Sequence, residues 1–239
     1  MASFARFDSR PLLKDPILIA GLPGVGDIGK IAVDLIADQL HAERLVRIFS
    51  DDLPATVYVD EDCCIEAPCF SLWLARLKDA DVVFLRGNCQ ATSIQGQISL
   101  AKKAFELVLE HDPSLVISLG GSCIEDSEKS PRLLGAVTEP GMKQLFELYG
   151  IDFVPEEPMM GIGGVAGALM ALCDAYGVDG LCIVAETSGM FEDNMGAKAI
   201  VDALSSLLGV EIDTSCLSED TNEPPEDEPF QEQDPPYFG

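Results

Sequence analysis

Histidine is nearly absent from this chain: only His41 and His111 occur in 239 residues. Each falls where a helix is expected to end, and there an imidazole complements the negative end of the helix dipole. Nucleophilic catalysis that relies on a histidine base, with serine or cysteine as partner, therefore has little to draw on. Basic charge is scarce as well. Fifteen lysines and arginines stand against 41 acids, a formal net charge of −26. A surface of that sign repels nucleic acid and anionic membrane faces, so neither is expected as a partner. A basic protein surface or a salt-rich cytoplasm suits it. Also missing is any apolar run long enough to span a bilayer. The opening MASFARFDSRPLLKDP mixes charges with proline, unlike the basic-then-apolar pattern of a secretory leader, and a cytoplasmic protein is expected. The eight cysteines form no CxxC, and only Cys63, Cys64 and Cys69 cluster, without a histidine beside them. Buried reduced thiols are expected in place of a zinc site or disulfides, and no metal or cofactor is expected.

What the sequence does have is a set of apolar runs, several of them ending in glycine. The N-terminal one organises the rest: Pro16 to Lys30 reads PILIAGLPGVGDIGK. Ile17 to Ala20 has the character of a buried parallel strand, the glycines form a turn, and residues 31–40 read as a helix. Two site patterns overlie the turn. Gly24, Gly26 and Gly29 fit the GxGxxG of dinucleotide-binding folds, with Asp51 and Asp52 as candidate acids beyond it. Gly24 to Lys30 fits GxxxxGK, but Ile31 follows where a phosphate loop needs a hydroxyl. The same glycines also serve positive φ and close helix-to-strand packing, which is the plainer reading.

Along the chain, apolar runs alternate with helical periodicity. Strands are expected at 44–50, 56–60, 81–86, 114–119, 133–138 and 181–186, with less certain ones at 64–67 and 70–77. Helices are expected at 93–110, with Ser93 as N-cap and Ile94, Ile98, Ala101, Phe105, Val108 and Leu109 on its apolar stripe, and at 140–149, 165–176 and 196–208. Residues 1–15 read as a polar lead-in. The pattern specifies an α/β fold: a single domain over residues 1–212 with a mostly parallel or mixed central sheet flanked by helices. From Asp213 the composition changes. The last 27 residues hold nine acids, five prolines and no lysine or arginine, and a disordered tail is expected. It closes on Pro235-Pro236-Tyr237-Phe238-Gly239, the composition of a short docking peptide.

The acid clusters Asp60-Glu61-Asp62, Glu125-Asp126 and Glu192-Asp193 fall in loops and read as solvated charge. Glu186 and Thr187 differ, because they stand at the end of a buried strand, where ligand contacts concentrate in α/β folds. With Gly24, Gly26, Gly29 and Lys30 on one side and Gly163 and Gly164 on another, they outline a candidate ligand crevice. No catalytic mechanism assembles from these residues, and a non-enzyme is expected.

The ordered set GLPGVGDIGKIA (21–32), SDDLPATVYVDED (50–62), Gly120-Gly121, GIGGVAGALM (161–170) and AETSGM (185–190) resembles the proteasome assembly chaperone family over residues 10–208. The resemblance implies a nucleoside-phosphorylase-like α/β domain that self-associates and assists assembly of the proteasome core particle. It implies α subunits as partners, engaged through a C-terminal tail ending in a hydrophobic residue, tyrosine and any residue. Here Tyr237 stands third from the end, between Pro236 and Phe238-Gly239, where the family pattern places tyrosine second. Two alternatives remain beside this: a family member that binds a different protein, and a nucleotide- or nucleoside-acting enzyme built on the Gly24–Lys30 turn.

Overall fold

The computed structural model describes residues 3–123, 131–154, 161–189 and 191–217. Its strands are β1 (Ser3–Phe7), β2 (Ile17–Ala20), β3 (Glu43–Ser50), β4 (Tyr58–Val59), β5 (Ile65–Glu66), β6 (Phe70–Arg76), β7 (Asp81–Gly87), β8 (Leu115–Cys123), β9 (Leu133–Val137), β10 (Ile151–Asp152) and β11 (Gly180–Thr187). The helices are α1 (Ile28–Gln39), α2 (Ile94–Leu109), α3 (Lys143–Glu147), α4 (Gly164–Tyr176) and α5 (Asn194–Leu208). Nine strands form one sheet in the order β1-β3-β6-β7-β2-β8-β11-β9-β10, and β4 and β5 form a separate hairpin.

The continuous apolar runs take the middle of the sheet, as strands buried on both faces must. In β7-β2-β8-β11 every neighbouring pair is parallel, with Ile17 between Val82 and Leu115 and Ala20 between Leu85 and Ser118. Antiparallel pairing begins outward of this block, at β6 on one side and β9 on the other. The sheet is therefore mixed. Helices α1 and α5 cover one face, over Ile19, Phe84, Ile117 and Ile183, while α2 and α4 cover the other, over Leu18, Val83, Leu85 and Val116. Each such residue, fully buried, contributes about 1.5–3 kcal/mol of transfer free energy.

Local signals account for the helix ends. The Ser93 side chain accepts the Gly96 N–H at 3.1 Å and caps α2, and Asp193 accepts the Gly196 N–H at 2.7 Å and caps α5. Gly177 and Gly209 close α4 and α5 at φ values of 69° and 65°, a left-handed end that glycine adopts without a Cβ clash.

Several expectations change. Helix α1 starts at Ile28, three residues earlier than expected. Residues 3–7 are not lead-in but an edge strand, antiparallel to β3. The strand expected over 56–60 shrinks to the hairpin strand β4, outside the main sheet. On α2, Ile94 and Ile98 are exposed, and the buried face is made by Leu100, Ala101, Ala104, Phe105 and Val108. The cysteines are not uniformly buried: Cys173 and Cys182 are, whereas Cys63, Cys64, Cys123 and Cys216 are exposed, and all eight are free. Chain packing continues past residue 212. The Asp213 N–H donates to Gln39 Oε1 at 2.8 Å, Gln39 Nε2 donates back to the Asp213 carbonyl at 2.7 Å, and Leu217 is buried in the α1–α5 layer. The remaining segment, 218–239, lies outside the described residues.

Candidate functional site

From β2 the chain turns outward to β3 on one side, and β8 lies on its other side, so the order reverses between β2 and β8. Ligands in open α/β sheets bind at such a switch point, beyond the carboxyl ends of the strands. A crevice of about 580 Å³ lies there, within the range of small-molecule sites. Its wall consists of the turn after β2, the end of β8 from Leu119 to Cys123, Val184 of β11, Gln90, and the segment Gly161 to Ala166 that leads into and opens α4. Among the described residues no charged side chain lines it, although the chain holds 41 acids.

The residues expected at a crevice separate into two groups. Gly24, Gly29, Gly163 and Gly164 line it; Gly26, Lys30, Glu186 and Thr187 do not. The three glycines of the GxGxxG pattern have three different local duties. The Gly24 N–H donates to Asp27 Oδ1 at 3.0 Å, which holds the turn together. Gly26 sits at φ +62°, and its carbonyl accepts the Asp193 N–H at 2.8 Å, tying the turn to the start of α5. Gly29 faces β8 so closely that an added Cβ would stand 2.7 Å from the Leu119 carbonyl oxygen. Lys30 pairs with Asp34 at 2.7 Å on the flank of α1, where Arg86 also holds Asp34 at 2.6 Å and Asp38 at 2.8 Å. Burial pulls the Arg86 guanidinium down, but Asp34 and Asp38 together outweigh it and leave it above its ordinary value.

The acids beyond the turn are also committed elsewhere. Asp52 Oδ2 accepts the Ser93 N–H at 3.0 Å and the Ser93 hydroxyl at 2.9 Å, so it anchors the start of α2. Glu186 reaches toward Arg132 at 3.8 Å, and its N–H donates to the Arg132 carbonyl. Thr187 is fully buried, its hydroxyl accepting the Gly189 N–H at 3.1 Å. Sequence reasoning overlooked Gln90. Its Nε2 donates to the Pro23 carbonyl at 2.7 Å, and its Oε1 is buried with no hydrogen-bond partner among the described residues. Nothing local in the sequence marks a lone glutamine after a strand; only the packing of two turns brings it to the crevice.

The thiols are unreactive where they are buried. Burial pushes Cys173 up to about 12 and Cys182 up to about 11, and burial followed by the Glu66 charge pushes Cys69 up to about 11. Raised in this way, these groups stay protonated at neutral pH, which withholds the thiolate that nucleophilic attack requires. Among the described residues no cluster of three or more His, Cys, Asp or Glu is arranged to hold a metal ion, and no helix is long and apolar enough to cross a membrane.

Among the described residues the wall holds no cation to offset a polyphosphate. In a thermal-shift series with ATP and NAD at about 1 mM, the melting midpoint is therefore expected to move by less than about 1 °C. A ligand bound a hundredfold above its Kd would add about 2.7 kcal/mol, several degrees in a chain of this size. A shift of that order would bring back the nucleotide-enzyme alternative.

The fold and the crevice define a mixed-sheet α/β domain with a glycine-walled switch point. The chain belongs to the PAC2 family, whose profile matches residues 18–225, and the resemblance to the proteasome assembly chaperone family is borne out. The uncharacterized protein MJ1210 of Methanocaldococcus jannaschii is 30% identical over 205 residues, covering 86% of this chain and 78% of that protein. The crystal structure of Pyrococcus furiosus PbaB, an archaeal proteasome activator, is similar at a TM-score of 0.84 and 26% identity, over 90% of this chain and 92% of that one. Pyrococcus furiosus PbaA, an archaeal homolog of proteasome-assembly chaperone, shares the fold at a TM-score of 0.76 and 21% identity, over 89% of this chain and 85% of that one.

Proposed function

We propose that this protein is a non-catalytic, protein-binding chaperone or adaptor that assists assembly of the proteasome core particle in the cytoplasm. The observation that carries the reading is the likeness to PbaB, which extends over nine-tenths of both chains. The partners are the α subunits of the core particle, and further copies of the chain associate with it. Docking falls to the acidic end of the chain, through Pro236, Tyr237, Phe238 and Gly239, all outside the described residues. The net charge of −26 directs the protein toward a basic partner surface.

Native mass spectrometry of the protein mixed with proteasome α subunits from its own cell tests this. The full chain is expected to form complexes, and a chain ending at Leu217 is expected to lose them. The cut belongs after Leu217 because residues 213–217 are packed on α1 and α5. Complexes that survive the cut would move docking to the folded domain. Their absence from the full chain would overturn the reading in favour of a different protein partner.

A further inference from the structure

The hairpin β4–β5 has an odd relation to its own subunit. Every residue from 55 to 67 is exposed, yet the segment carries Val57, Tyr58, Val59 and Ile65, with Val59 and Ile65 64% and 72% exposed. Among the described residues it is held to the domain only at its margin, by Tyr58 beside Cys89 and Glu66 beside Arg44; a two-stranded hairpin left largely uncovered is marginal in water, and apolar side chains gathered on one mark a contact. The same arm is acidic, with Asp60, Glu61, Asp62 and Glu66.

Its chemical complement is in the same chain. Among the described residues strand β1 is the outer edge of the sheet, bonded to β3 on one side alone, with exposed Phe4 and Phe7, and exposed Leu12 follows it. Residues 3–14 hold three bases, Arg6, Arg10 and Lys14, against one acid, Asp8, in a chain of net charge −26. Arg6 and Arg10 make no ion pair among the described residues; Arg10 lies over the Phe7 ring at 3.6 Å. Arm and edge also share one margin of the subunit, because Arg44 pairs with both Asp8 at 2.8 Å and Glu66 at 3.6 Å.

We infer that the β4–β5 arm and the β1 edge form a two-fold contact between copies of this chain, each arm lying against the other copy's residues 4–12. Two complementary patches at one margin are what an isologous contact needs, since the axis then brings each patch to its counterpart. Other occupants fit half of the surface. The acidic segment 218–239 complements the basic edge but repels the arm, and a basic protein complements the arm but repels the edge. A second copy satisfies both. This rests on the self-association included in the proposed function and names its surface.

Sedimentation velocity on the full chain, with no proteasome component present, tests it independently of α-subunit binding. The wild type is expected at an even multiple of 25.6 kDa. Val59→Asp with Ile65→Asp, and separately Arg6→Glu with Arg10→Glu, are each expected to raise the dissociation constant at least tenfold. All four positions face solvent, and circular dichroism checks that the variants are folded. Adding Glu61→Arg and Asp62→Arg to the Arg6→Glu, Arg10→Glu chain exchanges the charges and is expected to restore most of the affinity, which a folding defect would not allow. A monomeric wild type, unaltered association in the arm and edge variants, or an exchange chain no tighter than its parent would each overturn the assignment.

Discussion

Gly29→Val is expected to cost about 3 kcal/mol of stability, because overpacking against rigid neighbours reaches that size, and to lower the melting midpoint by about 6–12 °C. An added Cβ would stand 2.7 Å from the Leu119 carbonyl oxygen and 3.0 Å from its carbonyl carbon, both backbone atoms of a central strand. Neither can swing aside as a flexible side chain would. Helix α1 must instead lift from β8, which opens the packing of Ala32, Val33 and Ile36 beneath it. Gly29→Ala meets the same wall with a smaller side chain. It recovers the roughly 0.5–1 kcal/mol that alanine gains over glycine in a helix, so its net cost is smaller. Gly163→Ala is the control: it also lines the crevice, but a Cβ there meets nothing within 4 Å. Its midpoint is expected to stay within the range of an ordinary surface change, about 0.5 kcal/mol. Calorimetry on the three variants checks the series. Equal midpoints for Gly29→Val and wild type would show that α1 does not hold the sheet in this way.

That contrast explains which parts of the site were legible. The strand–turn–helix unit at 17–39 is written in the order of residue types, and the GxGxxG pattern correctly marks a close helix-to-strand approach. The pattern cannot say whether the approach serves a phosphate or only packing. Gly26 and Gly29 are engaged by Asp193 and Leu119, residues distant in sequence. Lys30 likewise reads as a phosphate ligand until α1 is folded, and then Asp34 stands one turn along the same helix face. The central strands were legible for a simple reason: burial on both faces requires an unbroken apolar run. Edges carry no such requirement. SFARF mixes an arginine and small residues with two phenylalanines, so β1 looks like a polar lead-in until β3 is in place to pair with it. The stripe on α2 shifted because its contact with the sheet and α4 is set by the small residues Ala101 and Ala104. These admit a close approach around themselves and leave Ile94 and Ile98 outside it.

Removing Gly239 is expected to tighten binding to α subunits, and Tyr237→Ala to weaken it by tenfold or more, as loss of a buried aromatic anchor does at protein interfaces. The two expectations come from one geometric argument. The pattern that the resemblance implies places tyrosine second from the end, and under the proposed function a terminal carboxylate would meet a basic side chain at a set distance from the ring. In this chain Phe238 and Gly239 both follow Tyr237, and the extra residue displaces the carboxylate by about 3.5 Å. Stretching an ion pair from about 4 Å to about 7.5 Å halves its Coulomb energy, a loss of about 0.5–2 kcal/mol between the bulk-water and protein-surface limits. Deleting Gly239 should therefore gain about two- to thirtyfold in affinity. The rest of the segment acts at longer range. Residues 218–239 hold eight acids and no lysine or arginine; under the proposed function they would steer the end of the chain toward a basic ring, and association is then expected to slow as salt is added. The segment starts from Leu217, buried in the α1–α5 layer, and its 22 residues reach about 75 Å at full extension. Under the proposed function the segment would act as a tether anchored at Leu217, holding Pro236 to Gly239 at a high local concentration near any ring the domain approaches. Titration of α subunits with wild type, the Gly239 deletion and Tyr237→Ala at two salt concentrations separates these contributions. A deletion that binds equally or more weakly would remove the register argument. Binding indifferent to both the tyrosine and salt would remove the segment from the contact altogether.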